Sequence, residues 1–313
     1  MFTLNGEQMK NSYLNYFITR YYLTFNSSIE KKMGSTNNEI IEKVATRLMK
    51  PIDRWANKSF YNFPFGKAPK GTASAYVEIW NKTKQLKYTT IDKYEEKLGY
   101  SINDTWINDL ALQTQVIIKK LDICYQHGRL LYSVLSFYIS QNSNLKNINI
   151  IETGTARGFS CLCMAKALSD AGKQGKIVTF DIIPHDTKMY WNCIADLTGP
   201  KSRSELLTNY SQLISEYIIF IQGDSKYQLK KVSMPRVNFA FLDGKHSYDY
   251  ILNEFKFLKD RQEKGDIIFF DDYTPKFYPG IVKAVDEICE KHNYSKEIIL
   301  LNDQRGYAIA GKQ

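Results

Sequence analysis

From about residue 145 onward, short apolar runs alternate with stretches whose apolar positions recur every three or four residues. The runs NINII (147–151), KIVTF (176–180), YIIFI (217–221), VNFAFL (237–242) and DIIFF (266–270) are rich in Ile, Val and Phe and bounded by Gly, Asp, Asn or Pro. Runs of this kind, continuous and not alternating, are what strands covered on both faces look like. Between them, Tyr248, Ile251, Phe255 and Leu258 share one face of a predicted helix, and Ile281, Val285, Ile288 and His292 share one face of another. Strand and helix in alternation predict a doubly wound α/β domain with a parallel sheet. The last two runs, EIILL (297–301) and GYAIAG (306–311), are separated by NDQR. That link is too short for a helical crossover, so these strands are expected to pair antiparallel.

The first part of the chain reads differently. Residues 104–141 are mostly helical in pattern, and residues 51–76 combine Pro51, Pro64, Pro69 and several glycines with Trp55, Phe60, Tyr61, Phe63 and Phe65. The latter stretch is loop-like, yet too aromatic for a simply disordered segment. The expected division is a helical and loop-rich extension over 1–105, a candidate lid, followed by the α/β domain over 106–313.

Composition narrows the function classes. At 313 residues and 43% hydrophobic, the chain can bury one large core with a smaller appended region. No apolar run approaches the roughly 18–20 residues needed to span a bilayer, and MFTLNGEQMK lacks the pattern of a secretory signal. Membrane association is therefore not expected. The five cysteines, Cys124, Cys161, Cys163, Cys193 and Cys289, are odd in number and form no C-x-x-C pair. That usage reads as reduced thiols in a cytoplasmic protein, not as a disulfide framework or a zinc site. The +9 formal charge is spread along the chain with acids between the lysines, which describes a solvated surface better than a nucleic-acid stripe.

Candidate chemistry begins at ETGTARG (152–158), where Glu152 ends an apolar run and Gly154, Ala156 and Gly158 follow at alternate positions. A turn without bulky side chains lets a ligand approach the backbone and the following helix N-terminus. A dinucleotide would bring a pyrophosphate there, typically to G-x-G-x-x-G. Glu152 would repel that pyrophosphate but attract an ammonium group, and S-adenosylmethionine carries an amino acid and a sulfonium with no phosphate. Asp181 ends the next run at IVTFD, where a carboxylate can accept hydrogen bonds from both ribose hydroxyls; a helix cap or turn residue is the plainer reading.

ETGTARG resembles the first motif of class I S-adenosylmethionine-dependent methyltransferases, over roughly residues 110–311. The resemblance implies a Rossmann-like, seven-stranded methyltransferase sheet ending in an antiparallel hairpin, with a mainly helical N-terminal extension. It implies S-adenosyl-L-methionine as cofactor, held by Glu152, Gly154, Ala156, Gly158 and Ser160 at the glycine turn, with Asp181 on the ribose. It further implies Asp224 of QGDS, with Ser225 beside it, at the adenine edge.

FLDGKHSYD (241–249) and FFDDY (269–273) end the next two strands. If those strands are neighbours, Asp243, Asp271 and Asp272 converge, and crowded carboxylates repel unless a cation or protons intervene. Oxygen-only ligands suit a hard ion such as Mg²⁺; helix capping is the competing role for these acids. His246 follows Asp243 by three residues and is a candidate general base for a hydroxyl. The segments are similar to those of metal-dependent O-methyltransferases, especially the macrocin-type sugar methyltransferases, through Asp243–Tyr248 and the pair Asp271–Asp272. That likeness implies a metal on Asp243, Asp271 and Asp272, a catalytic His246 with Asp243, and a small-molecule acceptor such as a saccharide or polyhydroxylated metabolite.

Residues 184–215 form a long connection expected to serve, with the aromatic N-terminal region, as a lid. Tyr190, Trp191, Trp55 and Phe63 are candidates to stack on the acceptor, against the commoner role of core packing. Lys201 and Arg203 are candidates for an acidic acceptor, against an exposed basic loop. Two alternatives stay open: a nucleic-acid methyltransferase, suggested only by the basic charge and lacking an N-P-P-Y-like motif, and a non-catalytic S-adenosylmethionine-binding protein. A homo-oligomer is left open as well.

Overall fold

The structure, a computed structural model, describes residues 63–313. The expectations for Trp55, Phe60 and Tyr61, and for the first 62 residues of the extension, lie outside the described residues.

Seven strands form one sheet: β1 Asn147–Thr153, β2 Gln174–Asp181, β3 Ile218–Gln222, β4 Phe239–Leu242, β5 Ile267–Phe270, β6 Tyr294–Asn302 and β7 Arg305–Lys312. Their order is β3-β2-β1-β4-β5-β7-β6. The pairs from β3 through β5 are parallel, whereas β7 runs antiparallel to both β5 and β6. The expected hairpin ending is thus present.

The continuous apolar runs are explained by cover on both faces. Phe239, Phe241 and Phe269 belong to one hydrophobic cluster, and Ala240, Leu242, Ile268 and Phe270, alternating with them, belong to another. The first cluster includes residues of α2 (Thr89–Leu98), α3 (Asp104–Thr114), α4 (Gln126–Gln141) and α5 (Phe159–Asp170). The second takes the apolar stripes of α9 (Tyr248–Leu258) and α10 (Pro279–Lys291), where Ile251, Phe255, Leu258, Ile281, Val285 and Ile288 are all buried. Among the described residues no helix is long and apolar enough to cross a membrane.

Two expectations change. The helical stretch over 104–141 is broken at 115–125, where Val116, Ile117 and Ile118 supply a β-branched run that disfavours helix. The backbone freed there is held from a distance: the Ile118 amide donates to Asn192 Oδ1 at 3.1 Å, and Asn192 Nδ2 donates to the Ile118 carbonyl at 3.1 Å. The connection between β2 and β3 is built into the core. It contains α6 (Arg203–Leu206) and α7 (Ser211–Tyr217), and its Trp191, Cys193, Leu206 and Leu207 are buried in the first cluster. Its length reflects a layer of the core.

The N-terminal helices also pack inward. From α1 (Ala73–Lys84), Tyr76 is fully buried and its hydroxyl donates to Asn192 Oδ1 at 3.4 Å. From α2, Glu95 and Asp92 receive the guanidinium of Arg129.

Candidate active site

Because β1 to β5 run parallel, their carboxyl ends share one edge of the sheet. The strand order reverses between β1 and β4, and such a switch point opens a crevice beyond the strand ends. The glycine turn leaves β1 at this point and Asp243 leaves β4 beside it, with the Asp243 amide donating to the Thr153 carbonyl at 3.0 Å.

The two glycines of the turn answer first to the protein itself. Gly154 has φ +93°, and a Cβ there would stand 2.1 Å from the carbonyl oxygen of Asp243. Gly158 has φ +89°, and its Cβ would meet Leu207 Cδ1 at 2.7 Å. The small residues therefore admit neighbouring backbone and a core leucine, a demand the argument from ligand approach did not foresee. Ala156 lies in the left-handed region as well, at φ 45°. Its amide donates to Asp181 Oδ2 at 2.5 Å and its carbonyl accepts Arg203 Nε at 2.9 Å, so the turn is clamped from both sides.

Glu152 is wholly buried at the end of β1 and accepts hydrogen bonds from the Ser160 and Thr179 hydroxyls on its two oxygens. Burial pushes its carboxyl up to about 7, against the pull of those two hydroxyls. Ser160 thus meets Glu152 directly. Asp181 Oδ1 accepts the Ile183 amide at 2.8 Å, and Oδ2, besides the Ala156 amide, has Arg203 Nη2 at 3.8 Å. Desolvation raises the Asp181 carboxyl above its usual value while these donors and Arg203 oppose it. A carboxylate offers about four lone-pair sites, so these bonds leave capacity for further donors.

Asp224 caps α8 (Ser225–Gln228): its Oδ1 accepts the Lys226 amide at 2.9 Å, and its Oδ2 accepts the Tyr250 hydroxyl at 2.9 Å. Ser225 Oγ donates to Glu254 Oε1 at 2.7 Å. Glu254 is pushed up to about 7 by burial, against the pull of the Ser225 hydroxyl and the neighbouring Thr153 hydroxyl. Glu254 was not singled out in the sequence because it sits among the polar positions of an amphipathic helix.

The second group gathers at β4 and β5, which pair as expected. Asp271 and Asp272 are both buried, and Asp272 has φ 53°, a left-handed conformation that a non-glycine residue holds only when its surroundings impose it. His246 stands between two carboxylates, with Nε2 4.0 Å from Asp243 Oδ1 and Nδ1 3.6 Å from Asp272 Oδ2. Its ring lies 4.9 Å from that of Tyr278. Desolvation and then repulsion from Asp271 and Asp272 push the Asp243 carboxyl well above its usual range, while Arg305 pulls it back.

Arg305, the first residue of β7, is the member that sequence reasoning missed. Its Nη1 donates to Asp272 Oδ1 at 3.0 Å. A hard divalent ion needs carboxylate oxygens with open lone pairs at about 2.0–2.1 Å in octahedral order. Here Asp272 gives one oxygen to Arg305 and turns the other toward His246, and Asp271 Oδ1 accepts the Asp272 amide at 2.8 Å. Among the described residues no group of three or more His, Cys, Asp or Glu is arranged to hold a metal ion. Asp243, Asp271 and Asp272, the carboxylates expected to hold Mg²⁺, do converge at the ends of β4 and β5, and the Arg305 guanidinium meets Asp272 there.

Several of the remaining polar and aromatic side chains are taken up by packing. His127 is buried between Phe159, at 5.0 Å, and Phe241, at 6.3 Å, and burial lowers its pKa to about 3. Trp191 is a core residue: its Nε1 donates to the Lys201 carbonyl at 2.7 Å and its carbonyl accepts Arg157 Nε at 2.7 Å. Arg203 is 1% exposed and anchors Ala156 and Ile183, so it belongs to no exposed basic loop. Phe63, by contrast, is 44% exposed.

Residues 151–273 match the family model of a methyltransferase domain. No curated protein matches the chain. Among solved structures, cofactor-bound Rv0187 from MTB shares the fold with a TM-score of 0.50 and 14% identity, over 72% of this chain and 98% of that one. The O-methyltransferase NovP follows at a TM-score of 0.44 and 19% identity, over 59% and 78%. The O-methyltransferase TomG from Streptomyces achromogenes, involved in tomaymycin synthesis and in complex with SAM, gives 0.47 and 13%, over 68% and 92%. The Rossmann-like methyltransferase sheet with its antiparallel ending is the fold of this chain.

Proposed function

We propose that this chain, which carries a methyltransferase domain, transfers the methyl group of S-adenosylmethionine to a hydroxyl of a small molecule. One observation carries the reading: His246 is flanked by Asp243 and Asp272 beside the glycine turn. An imidazole facing the Asp272 carboxylate is suited to taking a proton from a hydroxyl, since a neighbouring anion stabilises the imidazolium that forms. Bound at the crevice, S-adenosylmethionine supplies an electrophilic methyl on a sulfonium sulfur.

In this reading Asp181 takes the ribose and Glu152 sets the charge near the amino group. His246 accepts the acceptor's hydroxyl proton on a ring nitrogen. With S-adenosylmethionine bound, the acceptor oxygen so deprotonated would take the sulfonium's methyl group, leaving the electron pair of the broken carbon–sulfur bond on a neutral thioether. Asp243 and Asp272 hold the imidazole in place and balance its charge. The macrocin-type likeness in Asp243–Tyr248 supports a saccharide or another polyhydroxylated acceptor. In this proposal residues 1–105 form an extension that precedes the catalytic domain, 106–313, in the chain.

Incubation of the full chain with methyl-labelled S-adenosylmethionine and a fractionated metabolite extract tests it. Label is expected in an acid-stable, base-stable ether product. Label appearing only on nucleic acid, or on no acceptor in any fraction, would overturn the reading.

A further inference from the structure

The β6–β7 hairpin carries more than the end of the sheet. It returns the chain to the carboxyl edge and delivers Arg305 onto Asp272, 33 residues earlier in sequence, at 3.0 Å. The Arg305 side chain is 29% exposed and that of Asp272 8%, so the pair is largely shielded from solvent. Arginine is a permanent cation with planar donors that match a carboxylate. A side chain fixed by its strand thus supplies the positive charge that crowded carboxylates require.

We infer that Arg305 is the built-in counter-ion of the Asp243–Asp271–Asp272 cluster, and that methyl transfer at this site runs without a divalent metal. The inference rests on the proposed activity for its second half only. Arg305 acts as a positioning residue: it holds Asp272 Oδ1, and the other oxygen of the same carboxylate then faces His246 Nδ1 at 3.6 Å. A divalent ion on Asp272 would have to share that carboxylate with the Arg305 guanidinium and would be repelled by it. The left-handed backbone at Asp272 and the Asp272 amide on Asp271 Oδ1 fix the carboxylates in the orientation that the arginine meets.

The test titrates Mn²⁺ into the full-length protein, read by the paramagnetic signal of the free ion, alongside methyl transfer in excess chelator. The wild type is expected to leave the free-ion signal undiminished and to keep its turnover in chelator. Arg305→Met is expected to lose about 10²-fold in turnover, the scale of one removed electrostatic contact, and to gain a Mn²⁺ equivalent that Arg305→Met/Asp272→Asn abolishes. Arg305→Lys keeps the charge, recovers part of the turnover and stays Mn²⁺-blind.

The inference is overturned if the wild type binds one equivalent of Mn²⁺ that Asp272→Asn removes, or if chelator stops turnover and Mg²⁺ restores it. Should Arg305→Met fail to fold, the wild-type titration still decides. Should no acceptor be methylated at all, the proposed activity falls while the Mn²⁺ titration answers for the counter-ion.

Discussion

Gly154 and Asp243 meet backbone to backbone, and a Cβ on Gly154 would stand 2.1 Å from the Asp243 carbonyl oxygen. The end of β1 and the end of β4 are thereby locked at the point where the cofactor crevice opens. Any side chain at 154 must push apart the two strands that present the glycine turn and the acid cluster.

Gly154→Ala therefore combines a left-handed backbone with a clash against main chain, and should cost at least about 2 kcal/mol in stability. Gly158→Ala carries a comparable φ, but its neighbour is the far end of Leu207, which can shift. Thermal melting should rank Gly154→Ala as clearly worse; equal losses would mean that the Asp243 contact is unimportant.

Asp181→Ala should weaken S-adenosylmethionine binding by about 1–3 kcal/mol, the range for charge-assisted hydrogen bonds. The same variant frees the Ala156 amide, so S-adenosylhomocysteine should weaken in parallel. Calorimetry on both ligands, with NAD as the control that should not bind, checks the assignment. Tighter NAD binding than S-adenosylmethionine binding would refute it.

His246→Ala should lower turnover by about 10²–10⁴-fold, the span of a positioned general base, and leave cofactor affinity nearly unchanged, because the glycine-turn contacts are made by other residues. Full activity of this variant would remove the base assignment and leave the methyltransferase reading standing.

Glu254 predicts a pH dependence of stability. Its folded pKa is raised to about 7 by burial, above the ordinary value of 4.5, so the native state holds more protons than the unfolded chain between those values. Stability from this group is fully present below about pH 4.5 and is lost as pH rises through about 7, by up to about 3 kcal/mol. Glu152, also raised to about 7, acts in the same direction. Glu254→Gln should flatten the fall in chemical-denaturation stability between pH 5 and pH 8. An unchanged slope would show that the carboxyl is not the titrating group.

Which strands exist, which helical faces are apolar and that the sheet ends antiparallel were all legible along the chain. These follow from side-chain periodicity and from link length, and both are local properties. The carboxyl ends bearing Glu152, Asp181, Asp224, Asp243 and Asp271–Asp272 were legible for the same reason, since a parallel strand puts the residue that follows it at one edge.

What each of those carboxylates touches was decided by the tertiary structure. Arg305 reaches Asp272 across 33 residues and Arg203 reaches Ala156 across 47. No window of sequence contains both members of either pair, and nothing in an arginine's own neighbourhood tells a clamp from a solvated surface charge. The glycine turn makes the same point: a missing Cβ is visible in the sequence, but whether ligand, backbone or a core leucine occupies the space depends on which strand lies alongside. Charge neutralisation in the acid cluster was a requirement that the sequence imposed, because converging carboxylates must find a cation. The sheet order places β7 beside β5 and so sets a guanidinium against Asp272.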